Sequence, residues 1–122
     1  MKFSILVYET EEQLKLRTDP ARQAQYFAAY QAYTKALQEA GVMAGGAGLE
    51  PVSHATTVRV RGSERQVQDG PFADTKETLG GIFIIDVPDL DKALEWAARC
   101  PSAATGCAEV RPNLAMADAN HR

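Results

Sequence analysis

A chain of 122 residues with 45 % hydrophobic and 24 % charged residues and a formal charge of −3 has the length of one domain and the composition of an ordinary globular protein. The acidic balance excludes the basic footprint of a nucleic-acid binder and a polybasic membrane patch. No apolar run approaches the ~20 residues of a membrane span, and Met1 to Tyr8 is too short for a signal h-region, so a cytoplasmic protein is expected. Cys100 and Cys107 fit no zinc or redox spacing, and His54 and His121 are the only histidines. No metal is expected. No nucleotide, haem or flavin motif appears, so no cofactor is expected.

Lys2 to Tyr8 reads as the first strand, with Phe3, Ile5 and Val7 on one face and Ser4, Leu6 and Tyr8 on the other. Glu9 to Thr18 is a polar connection, a solvated loop or short helical turn. Asp19-Pro20 supplies an N-cap and a first helical residue. Tyr26, Tyr30, Tyr33 and Leu37, with Phe27 beside them, follow the period of a core-facing helix that Gly41 stops. A tyrosine hydroxyl at the edge of that stripe could face a cavity. The glycines from Gly41 to Gly48 lack the strand-before, helix-after context of a phosphate loop and read as a flexible connection.

Ala55 to Arg61 alternates, Val58 and Val60 pointing one way and Thr57, Arg59 and Arg61 the other; Gly62-Ser63 turns, and Glu64 to Gln68 returns as the hairpin partner. Leu79 to Val87 is the most apolar strand and reads as buried on both faces, with Gly80-Gly81 marking a bulge or close backbone approach. Asp89 caps a second helix whose stripe is Leu90, Ala93, Leu94 and Ala97, and Pro101 ends it. Cys107 to Arg111 is a short last strand. Residues 1–112 are expected to form a single domain and 113–122 a mobile tail.

This order is the ferredoxin-like β-α-β-β-α-β arrangement, an α+β fold with an internal hairpin. Two helices cover only one face of such an antiparallel sheet. The first strand and the 79–87 strand are apolar on both faces, so a homodimer closing the open sheet face is expected.

The stretch that concentrates ionisable groups is Asp69-Gly70-Pro71-Phe72-Ala73-Asp74-Thr75-Lys76-Glu77. Asp-Gly-Pro is good turn chemistry whatever its function. In a purely structural role, Asp69 caps the turn and Phe72 plugs the core edge. In a catalytic role, Asp69 presents a carboxylate at a cavity mouth as a general base, Lys76 stabilises negative charge and Glu77 is a second carboxylate. Arg59 is then an anion anchor, and Tyr8 and Phe72 complete the ligand contacts.

Asp69 to Pro101 resembles the signature half of the DGPF-domain proteins, a YCII-related group within the dimeric α/β-barrel superfamily. The resemblance extends to Lys2–Tyr8, Ala55–Arg59 and Glu109–Pro112. It implies a ferredoxin-like fold, a homodimer, and a pocket between the barrel interior and the loops. The proximity of many members to genes for extracytoplasmic-function sigma factors implies a regulatory link. YCII-like relatives include a dehydrochlorinase of chlorinated-aromatic breakdown, and a His-Asp acid/base pair belongs to that group. With no histidine in its first strand or first helix, this chain does not carry that pair. Two functions therefore stand: a small-molecule-binding or accessory signalling module, and a cofactor-independent enzyme moving protons on a small organic substrate.

Overall fold

The structure, a computed structural model, describes residues 1–115. It contains β1 (Lys2–Thr10), α1 (Glu11–Lys15), α2 (Gln23–Glu39), β2 (Met43–Gly48), β3 (Thr56–Arg61), β4 (Glu64–Asp69), β5 (Glu77–Asp86), α3 (Leu90–Ala98) and β6 (Cys107–Pro112), with short 3-10 turns at Leu16–Thr18, Val52–His54 and Pro101–Ala104. Four strands form one antiparallel sheet in the order β2-β5-β1-β6, and β3-β4 forms a separate two-stranded ribbon. This is the ferredoxin-like α+β fold expected from the sequence. Residues 116–122, most of the expected tail, lie outside the described residues; Asn113 is tied back by its N–H to Lys2 O (2.9 Å) and by Ser4 Oγ donating to its side chain (2.6 Å).

The core is the face of the sheet under the two long helices. Phe3, Ile5 and Val7 of β1 meet Ile85 of β5, Tyr33 and Leu37 of α2, and Ala93 and Ala97 of α3, all buried. Period-two alternation puts β1's odd residues on that face, and burying each large apolar side chain there contributes about 1.5–3 kcal/mol. On the opposite face Leu6, Tyr8, Ile82 and Ile84 stay half-buried, with no helix among the described residues over them.

Several elements differ from expectation for identifiable reasons. Met43–Gly48 is not a flexible connection but an edge strand antiparallel to β5. Its glycines allow close approach: a Cβ on Gly46 would lie 2.8 Å from Ile82 O. The first long helix starts at Gln23, not at Pro20, because the Asp19 carboxylate accepts from Ala21 N (2.9 Å) and closes a turn ahead of it. In α3, Asp89 caps as expected, accepting from Lys92 N (2.9 Å), but Leu90 and Leu94 are exposed; only Ala93 and Ala97 are buried, small enough to let the helix close on the sheet.

Among the described residues the β3-β4 ribbon makes no substantial packing with any other element. Its polar side is the more sheltered one, with Thr57 and Arg59 half-buried, whereas Val58, Val60 and Val67 are 56–60 % exposed. The ribbon thus faces its apolar side away from its own chain.

Candidate functional site

The site begins with the parity of β1. The alternation that buries Phe3, Ile5 and Val7 continues to Glu9, whose side chain is only 2 % exposed. A buried carboxylate needs a counter-charge and full hydrogen bonding. The Tyr26 hydroxyl donates to it, lying 2.6 Å from Oε1 and 2.7 Å from Oε2; the Tyr30 hydroxyl donates to Oε2 (2.9 Å), and Arg17 Nη2 to Oε1 (3.1 Å). Tyr26 and Tyr30 stand one turn apart on α2, so both hydroxyls descend to one point.

Arg17 reaches this point from the 3-10 turn after α1. Its Nε donates to the Tyr26 oxygen (3.0 Å), Nη1 to Leu49 O (2.5 Å), and Nη2 also to Gly80 O (3.2 Å). One guanidinium thereby ties the start of α2, the end of β2 and the start of β5 to the last turn of β1. Gly80 makes room for it. It is the extra residue of a bulge where Val7 pairs with Gly81 and Tyr8 with Leu79. A Cβ there would lie 2.7 Å from Glu9 Oε1 and 3.2 Å from Arg17 Nη2. Gly80-Gly81 is therefore the close approach that the sequence suggested.

Burial, reinforced by the hydrogen bond to Glu9, pushes the Tyr26 phenol up to about 12. Burial and the Glu9 charge push Tyr30 higher still. Burial works to lower the Arg17 guanidinium, but its contacts with Tyr26 and Glu9 outweigh it and leave it raised. Both phenols stay protonated and the arginine stays charged.

Beside this cluster opens a cavity of about 610 Å³ between α2, β2 and the start of β5, within the usual size of small-molecule sites. Its walls are mostly apolar and aromatic, with Phe27, Tyr30, Met43 and Phe83 prominent, and Arg17 and Thr34 among the polar lining. The aromatic stripe of α2 therefore divides: Tyr33 and Leu37 are core, while Tyr26, Phe27 and Tyr30 belong to the cavity. Chemically this is a holding arrangement, a fixed ion pair with two locked hydroxyls behind an apolar slot. Among the described residues no cluster of His, Cys, Asp and Glu could hold a metal ion.

The residues singled out in the sequence lie elsewhere. Asp69 ends β4 with an exposed side chain. The turn beside it is held by Gly70, at φ +98°, whose N–H donates to Ala55 O (2.8 Å) and whose carbonyl accepts from Thr57 Oγ1 (2.8 Å). Phe72 is 76 % exposed rather than plugging the core edge, with the Arg59 guanidinium 5.1 Å from its ring centre. Lys76 is exposed, Glu77 opens β5 opposite Thr10, and Tyr8 lies on the uncovered sheet face. Arg59 and Phe72 are brought together; none of these six residues lines the cavity. Glu9 and Arg17 were read as part of a polar connection, although the parity of β1 pointed to Glu9.

No helix among the described residues is long and apolar enough to cross a membrane. In the solved structures, the chain resembles 5-chloro-2-hydroxyhydroquinone dehydrochlorinase (TftG) from Burkholderia phenoliruptrix AC1100 in complex with 2,5-dihydroxybenzoquinone. The TM-score is 0.53 at 18 % identity, over 93 % of this chain and 94 % of that one. That likeness establishes a shared fold. An uncharacterised protein of Rhizobium meliloti (strain 1021) is 46 % identical over 76 residues, which span 61 % of this chain and 61 % of the relative. The YCII-related domain model matches residues 1–116, and the chain belongs to the YCII-related domain family.

Proposed function

We propose that this protein binds a small organic molecule in the cavity between α2, β2 and β5, and that it acts as a binding or accessory module. The observation that carries this reading is the cavity itself: about 610 Å³, walled by aromatic and aliphatic side chains and closed at its inner end by the Glu9–Arg17–Tyr26–Tyr30 cluster. The dehydrochlorinase with the same fold, solved with a dihydroxybenzoquinone, makes a small cyclic organic ligand a reasonable size class. The alternative, acid/base catalysis with Asp69 as base and Lys76 and Glu77 assisting, is the weaker reading. Asp69 is exposed and is not among the residues that line the cavity. In this reading Tyr8, Arg59 and Phe72 act with the turn outside the cavity.

A homodimer belongs to the same proposal. Leu6, Tyr8, Ile82 and Ile84 leave one sheet face uncovered, and the barrel of the superfamily forms when two such faces meet. A cytoplasmic location and a regulatory link to an extracytoplasmic-function sigma factor complete the proposal, the latter resting on family resemblance.

The test is ¹⁵N-resolved NMR during titration with a library of small cyclic organic molecules. Hits should shift Tyr30, Met43 and Gly46 amides, and Gly48→Trp, at a position opposite Gly81 on the cavity side of β2 with open space at its Cβ, should abolish those shifts while the fold persists. Shifts confined to Asp69–Glu77 would transfer the site to the turn and sink this reading.

A further inference from the structure

The hydrogen bonds at the inner end of the cavity restrict what can bind there, taking the cavity as the binding site proposed above. We infer that its ligand is a neutral aromatic molecule carrying an O–H donor, a phenol in the simplest case, and that carboxylates and phosphates are turned away.

Charge comes first. Arg17 is the one basic residue among the lining side chains; four of its five N–H groups are engaged, Nε by Tyr26, Nη1 by Leu49 O, and Nη2 by Glu9 and Gly80 O, and its charge is paired with Glu9. Among the described lining residues an anion entering the slot finds no cation whose charge is not already paired. It meets the Glu9 carboxylate behind the wall and Glu50 among the lining residues, and its desolvation goes uncompensated.

The direction of the hydrogen bonds is equally restrictive. A tyrosine hydroxyl has one proton. That of Tyr30 goes to Glu9 Oε2 (2.9 Å) and that of Thr34 to Tyr30 O (2.9 Å). Both side chains line the cavity, so both oxygens have only lone pairs left for a ligand. Tyr26 is fully used, giving its proton to Glu9 and accepting from Arg17. At the Tyr30 and Thr34 oxygens the ligand must therefore bring the proton.

Shape is the third restriction. Gly46 and Gly48 form part of one wall without side chains, opposite the rings of Phe27 and Tyr30, which suits a flat ring; Met43 adapts to its outline.

The probes are three molecules of one size: 4-ethylphenol, its methyl ether 4-ethylanisole, and 4-ethylbenzoate, titrated into the full chain by NMR at neutral pH. The phenol should bind at least about tenfold more tightly than the ether, and the benzoate should produce no shifts at Tyr30 or Met43. In Tyr30→Phe the phenol should lose its advantage over the ether, while the ether's own affinity stays within about twofold. Benzoate binding as well as the phenol, or the ether matching the phenol in the unsubstituted protein, overturns the inference and leaves the cavity as a binding site. If none of the three shifts any cavity amide, the binding-site reading falls and the inference with it.

Discussion

Gly80 carries more of the site than any charged residue does, because it is the absence of an atom that lets Glu9 and Arg17 meet. Gly80→Ala would place a methyl group 2.7 Å from Glu9 Oε1. The Gly80 backbone is not at positive φ, so the cost is steric alone, about 1–3 kcal/mol, measurable as a lower urea midpoint with an unchanged slope. Glu9→Leu removes one partner of a buried pair and should cost about 3–5 kcal/mol. Alkaline pH tests the same cluster by another route. Tyr26 titrates near 10 in the unfolded chain and near 12 when folded, so between those values the folded state holds the extra proton. Its stabilisation is complete below pH 10 and declines as pH rises toward 12, by about 1.4 kcal/mol per pH unit for this one group, with Tyr30 adding in the same direction. A thermal midpoint that stays level from pH 9.5 to 11.5 would contradict this. At this scale Glu9 was legible, since Phe3, Ile5 and Val7 set a parity that Glu9 continues. Arg17 was not: its partners come from residues 9, 26, 49 and 80, and no local pattern reports a contact that long-range topology creates.

Among the elements, those whose pattern arises from a single buried face were readable: β1, α2 from Tyr26 onward, the β3-β4 alternation and the Asp89 cap all appear where the periodicity placed them. Asp89→Ala should cost about 1 kcal/mol through the lost bond to Lys92 N, read as a shift in the denaturation midpoint. What misled was chemistry that serves another element. Gly45, Gly46 and Gly48 look like a loop by propensity, yet they form β2 against β5, where Gly46 is the one of the three at which a side chain would collide, its Cβ lying 2.8 Å from Ile82 O. In Asp69-Gly70-Pro71, where the sequence gathers ionisable groups, the geometry of the turn rests on Gly70 at φ +98° and on Thr57, and the side chains of Asp69 and Phe72 are exposed.

For the whole molecule the unfinished feature is the sheet face opposite the helices. Static light scattering at micromolar concentration should return twice the chain mass of 13.2 kDa, and Leu6→Lys combined with Ile84→Lys should return the single mass with the fold retained by circular dichroism. A wild-type monomer would remove the homodimer from the proposal. The β3-β4 ribbon has a separate consequence for motion. A lone two-stranded hairpin is marginal in water, and this one has no substantial packing against any other element among the described residues, so it can open without disturbing the core. In deuterium exchange the amides of Val58 and Val67 should therefore be replaced well before those of Ile5 and Ile85 in dilute protein. If a second copy settles on the exposed valines, those same amides should slow as protein concentration rises, while the core amides keep their pace.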